Sequence, residues 1–463
     1  MAPDRLSVSM MHRVLSGPLS RVFMSRWFDR VRMSVVPREF RAARASAVAA
    51  AQPDVDAFLT ELGLDGDRAS RLRPRARRAM AVLARRHADL AETQRRWDDV
   101  FWGHATADMA TRVALDRERR RRSQDARKPA WLFRFLGNEP SVAVCPFEVP
   151  PPRETLAAVS PWLDDPDGVY AAPAATPPTE ISAEVLGPAG PESLIRFASP
   201  SPFMDDRVTA RVYGPEGGGA GAPTFIYASG FGMMYDLIAY WPEEDYVARR
   251  LAARGIRVIL PESPWHGRRA PPGCFSGQSY LARAPLSLVK LYAAQACETA
   301  HLVAWARARG SARVGVGGFS LGGLVTQQIA SRCRLWPEAM RPDMAFIGAG
   351  STHIDQVVTR GDISRLLGLT DAVTRAGWTD ADLRALRPVL DPGPEPGVDP
   401  DAILAFLGTE DQSTPYGQAK RMLDDWRVPV ANRMVFEAGH IALYARIIRD
   451  AAPIERIARM LTG

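Results

Sequence analysis

Val314-Gly-Val-Gly-Gly-Phe-Ser-Leu-Gly-Gly323 decides how the rest of the chain reads. A short β-branched and glycine run ends in Gly-x-Ser-x-Gly and passes at once into Leu324-Val-Thr-Gln-Gln-Ile-Ala330, which reads as strand, sharp turn and helix with Ser320 at the apex. A side chain held on so tight a turn crowds its neighbours two residues away, so Gly318 and Gly322 let backbones pass where a Cβ would collide. The same turn aims the Leu321 N–H toward the place where an attacked carbonyl would develop negative charge. Ser320 is the candidate nucleophile.

Around this turn the rhythm is alternating strand and helix. Thr224–Ala228, Arg257–Leu260, Val314–Val316, Met344–Ile347, Ala402–Leu407 and Arg433–Phe436 are short apolar runs of the kind buried on both faces of a parallel sheet. Arg207–Tyr213 alternates with period two, as a half-buried antiparallel edge strand would. Tyr246–Arg254, Leu286–Arg309, Leu321–Arg332 and Gln418–Trp426 between them are helical in composition, so the pattern predicts a mostly parallel, doubly wound α/β sheet. Downstream of Ser320, one strand ends in Gly408-Thr-Glu-Asp411 and the last in Glu437-Ala-Gly-His440. Each candidate lies just past a strand's carboxyl end, where sites on open α/β sheets gather.

A serine hydroxyl is a poor nucleophile at neutral pH, so His440 would take its proton during attack and return it to the leaving group. Asp411 would orient the imidazole, and Glu410 beside it is the alternative acid. For the oxyanion hole, Leu321 offers one backbone donor. The loop Ser229-Gly-Phe-Gly232 after the first parallel strand offers another, the N–H of Phe231. No cofactor is called for.

These residues resemble the α/β-hydrolase superfamily over 181–463. Gly318-Phe-Ser-Leu-Gly-Gly323, Glu410-Asp411, Gly439-His-Ile441 before an apolar helix, and Pro264-Trp-His-Gly-Arg-Arg269 look like the branch of α/β-hydrolase domain-containing protein 18 and its bacterial relatives. The resemblance implies a serine hydrolase acting on an ester, an acyl ester of a lipid among them. Where many members carry His-Gly at the oxyanion loop, this chain has Ser229-Gly230. Among the other histidines, His266 and His301 read as structural and His353 as a backup base.

Upstream, residues 1–147 are helical in pattern, 148–180 is a proline-rich linker or arm, and 181–463 is the α/β domain with a cap-like insertion at about 355–400 that carries Leu366, Leu367, Trp378, Leu383, Leu386 and Leu390. Val55, Phe58, Leu59 and Leu62 between Asp54 and Gly63 predict a short capped helix. Leu19, Val22 and Phe23 against Arg21, Arg26 and Arg30 form a basic amphipathic pattern that leaves room for peripheral membrane contact. Arg117 to Arg122 reads as a solvated helix end, and with no interleaved aromatics it gives no nucleic-acid surface.

The 463 residues, 46% hydrophobic and 24% charged with net charge +7, suit a globular protein with a sizeable core. Cys145, Cys274, Cys297 and Cys333 show neither disulfide nor zinc spacing, which favours a reducing, cytoplasmic setting. No apolar run approaches a membrane span, and Arg13, Arg21, Arg26 and Arg30 interrupt any leader-like segment. The expected partner is a small-molecule or lipid ester. A non-catalytic binding or membrane-associated protein on the same scaffold is the alternative.

Overall fold

The computed structural model describes residues 26–103, 105–127, 132–217, 219, 221–237 and 243–463. Most of the basic amphipathic pattern noted above, residues 19–25, lies outside them. The first described elements are helices α1 (Arg26–Ala51), α2 (Val55–Glu61), α3 (Gly66–Phe101) and α4 (Met109–Arg127). Asp54 caps α2 by accepting the Asp56 and Ala57 N–H groups, and Gly63 beyond its end has φ +72°. Leu83, Leu90, Trp97 and Phe101 are buried along the single helix α3.

The proline-rich segment is not simply extended. Pro151 precedes and Pro152 opens helix α5 (Pro152–Leu163), where a missing N–H costs nothing because the first-turn amides have no helical partner. Val159 and Tyr170 are fully buried, and the Trp378 indole N–H donates to Pro150 O at 2.8 Å, which ties the segment to the cap-like insertion.

Among the described residues ten strands form one sheet: β1 (Glu180–Ile181), β2 (Val185–Leu186), β3 (Pro191–Ala198), β4 (Arg207–Tyr213), β5 (Thr224–Ala228), β6 (Arg257–Pro261), β7 (Val314–Phe319), β8 (Met344–Gly348), β9 (Ile403–Gly408) and β10 (Arg433–Phe436). Their order is β1-β3-β4-β6-β5-β7-β8-β9-β10, with β2 beside β3. From β6 through β10 neighbours run parallel, whereas β3, β4 and the β4–β6 pair are antiparallel. β4 is therefore not the edge strand its alternation suggested: β3 covers it, and five of its seven residues are buried.

Side chains along a central strand divide between two apolar layers. On β9, Ile403, Ala405 and Leu407 pack with α6 (Leu286–Ala308) and α7 (Leu321–Arg332), while Leu404 and Phe406 join Leu443, Ile447, Ile454 and Ile457 on the other face. Burial on both faces is why these strands read as continuous apolar runs. Between β8 and β9 the insertion folds into short helices, including α8 (Asp362–Leu367). Leu367, Trp378, Leu383, Leu386 and Leu390 are buried there and Leu366 is exposed. α9 (His440–Arg449) and α10 (Ala452–Thr462) close the chain, and α1 packs against both α8 and α9.

The arginine run on α4 is a correction to the solvated reading. Arg121 and Arg122 do face outward and pair with Glu118, but Arg119 and Arg120 are buried. Arg119 bridges Asp116 (2.9 Å) and Asp236 (2.7 Å), Arg120 pairs with Glu244, and Arg211 on β4 joins Asp116 and Glu192 at 2.9 Å each. Buried charges persist where such partners offset their lost hydration, so ion pairs fasten α4 to the antiparallel side of the sheet alongside the apolar cluster of Val113 with Trp97, Phe101, Val185 and Leu194.

Candidate active site

Ser320 follows β7 with φ 56° and ψ −118°, a backbone that a serine holds at a cost of roughly 1–3 kcal/mol. Its N–H donates to Gly348 O on β8 (2.9 Å) and its carbonyl accepts the Leu324 N–H (2.8 Å), pinning the turn to strand and helix at once. A Cβ on Gly322 would lie 2.0 Å from Ala228 O, and one on Gly318 2.5 Å from the same oxygen. The elbow thus exists because two glycines let the start of α7 rest on the end of β5.

The loops after β9 and β10 deliver the other two groups. His440 Nε2 lies 2.9 Å from Ser320 Oγ, and His440 Nδ1 lies 2.7 Å from Asp411 Oδ2. Asp411 is itself held: Oδ1 accepts the N–H groups of Ser413 (2.8 Å) and Thr414 (2.9 Å), and Oδ2 accepts the Thr414 hydroxyl (2.8 Å). Of the two adjacent acids Asp411 meets the ring, while the Glu410 backbone N–H donates to Ala438 O at 3.2 Å. Burial disfavours a charged imidazole at 440, but the charge and hydrogen bond of Asp411, with Asp29 adding, outweigh it and hold the pKa above the ordinary histidine value. A neutral ring donating from Nδ1 to Asp411 leaves Nε2 free to accept the serine proton.

The loop expected to complete the oxyanion hole is adjacent: a Cβ at Gly230 would stand 3.6 Å from Ser320 Cβ. Ser229 donates from its buried hydroxyl to Glu243, which anchors the loop from below. The Phe231 ring stacks on Phe40 of α1 with centroids 5.3 Å apart, and Leu321 opens α7 directly beside Ser320.

The remaining histidines stand apart. His266 is buried with Nδ1 2.8 Å from Pro264 O, and burial pulls its pKa down to about 4. His301 meets Thr179 Oγ1 at 3.0 Å and packs on Phe197. His353 precedes the helix after β8 with φ 54° and makes no side-chain capping bond, and it is the His440 ring that reaches Ser320. Among the described residues no group of His, Cys, Asp and Glu is arranged to hold a metal ion, and no helix is long and apolar enough to cross a membrane. A cavity of about 430 Å³ lined by His87, Trp97, Trp102, Arg127 and Arg268 lies beside α3, away from Ser320.

Three contributors that no motif named left different traces in the sequence. Ser413 and Thr414 stand two and three residues after Asp411, and that spacing of a local side-chain turn is the signal that could have found them. Asp29, whose Oδ1 accepts the Ile441 and Ala442 N–H groups at 2.8 Å each, lies more than 400 positions away and belongs to no motif.

The family model described as the alpha/beta hydrolase family matches residues 219–459, just over half of the chain. Among solved structures, the chain is similar to acetyl xylan esterase 1 from Thermoanaerobacterium sp. JW/SL YS485 at 14% identity, with 65% of this chain and 96% of that one covered and a TM-score of 0.43. An S-formylglutathione hydrolase from Agrobacterium tumefaciens gives 16% identity, coverage of 61% and 99%, and a TM-score of 0.37. A cold-adapted esterase from an Arctic intertidal metagenomic library gives 15% identity, coverage of 58% and 93%, and a TM-score of 0.35. No curated protein sequence matches this chain, so nothing in these comparisons singles out the branch named above.

Proposed function

The chain belongs to the alpha/beta hydrolase family, and from that premise we propose that it is a serine hydrolase cleaving a carboxylic ester, of esterase, lipase or thioesterase type. The observation that carries the proposal is the unbroken hydrogen-bond path from Ser320 Oγ through the His440 ring to Asp411. Ser320 attacks the ester carbonyl while His440 Nε2 takes its proton. Asp411 steadies the imidazolium, and the N–H groups of Leu321 and Phe231 receive the oxyanion. His440 then protonates the leaving alcohol or thiol. Water, deprotonated by the same ring, hydrolyses the acyl-enzyme. Within the family, the segments around Ser320, His440 and Pro264 favour the branch of α/β-hydrolase domain-containing protein 18, with a lipid acyl ester as substrate.

The test is labelling by a fluorophosphonate probe together with a panel of esters of rising acyl length. Wild-type protein should label and hydrolyse part of the panel, and Ser320→Ala should do neither while keeping its circular dichroism. A Ser320→Ala variant that labels at the wild-type rate ends the proposal.

A second reading attaches to α1, where Trp27 (61% exposed) and Val31 (39%) stand one turn apart beside exposed Arg30. This face supports peripheral contact with an anionic membrane from the cytoplasmic side, a location in keeping with four free cysteines. Sedimentation with phosphatidylserine vesicles should fall on Trp27→Ser, and equal sedimentation of the two proteins would remove this reading.

A further inference from the structure

His440 is the first residue of α9, so its backbone orientation depends on how that helix begins. A helix start leaves its first N–H groups without partners, and the residue before it normally supplies a side-chain oxygen to the second and third amides. Here that residue is Gly439, which has no side chain, with φ −82° in extended backbone. The cap comes instead from α1: Asp29 Oδ1 accepts from Ile441 N and Ala442 N, both at 2.8 Å. Gly439 is small because Asp29 needs the room, since a Cβ at 439 would lie 2.1 Å from Asp29 Oδ2. The loop on the far side of Ser320 meets the same helix through the Phe40 and Phe231 stack.

We propose that Asp29 is a positioning residue for His440: by capping α9 in place of the side chain Gly439 lacks, it holds the imidazole on Ser320 and makes helix α1 part of the active site. The inference rests on the reading of His440 as the base for Ser320. The charged groups facing the ring are Asp411 from the loop after β9 and Asp29 from α1, with Phe319 packed against it at 5.7 Å and the basic Arg446 and Arg449 in the last turn of its own helix. Asp29 adds to the raised pKa of His440, so removing its charge moves that titration to lower pH.

The experiment measures the fluorophosphonate labelling rate and the His440 titration, the latter by NMR on isotope-labelled histidine with His440→Gln for assignment. Asp29→Ala should slow labelling about tenfold, the effect of a lost cap of ordinary strength. Asp29→Asn, which keeps the acceptor, should label near the wild-type rate at alkaline pH with its titration displaced downward. The decisive readout is a reversal of sign. Gly439→Ser in the wild-type chain collides with Asp29 and slows labelling, whereas the same change in the Asp29→Ala chain restores the cap and speeds it.

Equal labelling and equal His440 titration in Asp29→Ala and wild type would overturn the proposal, as would Gly439→Ser slowing both backgrounds alike. Should Asp29→Ala fail to fold, Asp29→Asn and its titration carry the same decision. If wild-type protein does not label at all, the ester-hydrolase proposal falls, and the His440 titration still decides whether Asp29 acts on the ring.

Discussion

Replacing Gly322 by alanine tests whether the elbow geometry, rather than the presence of three side chains, sets reactivity. The added methyl would stand 2.0 Å from Ala228 O and 2.5 Å from Ala228 C, and ordinary contact begins at 3.4 Å. Both obstacles are backbone of a central strand, so no side chain can swing aside. About 1.4 Å must therefore come from moving the first turn of α7 away from β5, at roughly 1–3 kcal/mol for overpacking. That turn carries Ser320 and the Leu321 amide, and β5 leads straight into Ser229 and Gly230. A displacement of about 1 Å at reacting groups is worth about 10² in rate, so labelling by fluorophosphonate should fall by that order or more.

Gly417→Ala is the internal control: it lies in the first turn of helix Tyr416–Asp425, and nothing stands within 4 Å of its added Cβ. It should leave labelling unchanged and keep or slightly raise Tm, because alanine is favoured over glycine in a helix by up to about 1 kcal/mol. Wild-type labelling and an unchanged Tm in Gly322→Ala would refute the reasoning.

Three further outcomes are expected. Asp411→Asn should lower kcat by about 10³ to 10⁴, the order seen when a triad carboxylate is made neutral, while Glu410→Gln should stay near wild type; steady-state kinetics on one ester separates the two acids. Ser320→Gly should have a higher Tm than Ser320→Ala, because both lose the hydroxyl but only glycine relaxes the φ of 56°, and differential scanning calorimetry reads the difference. Because the folded pKa of His440 is raised, the acid limb of kcat/KM should sit above the ordinary histidine value. By the same shift, the stability this histidine contributes is fully present below its unfolded pKa and is lost as pH rises through the folded one, which urea midpoints across that window would show.

The α/β pattern, the elbow and the placement of Ser320, Asp411 and His440 just past strand ends were legible in the sequence because each is a local signal. Strands buried on both faces show as apolar runs, the turn shows as glycines at fixed offsets, and Asp411 and His440 each follow the last residues of a strand. The two acids 410 and 411 could not be told apart in this way. Their separation depends on which carboxylate the turn after β9 directs at a ring brought in from 29 residues further on.

Other features were decided by long-range contacts alone. β4 reads as an edge strand by its alternation, yet β3 covers it, since a period of two reports one-sided polarity and not what lies alongside. Arg119 and Arg120 carry the composition of a solvated run and are buried, because Asp236 and Glu244 converge on them from distant segments while Asp116 stands one turn away on α4. Asp29 and Gly439 look unrelated along the chain. A capping hydrogen bond requires only that an acceptor reach the helix start, and the packing of α1 on α9 supplies one that no local pattern records.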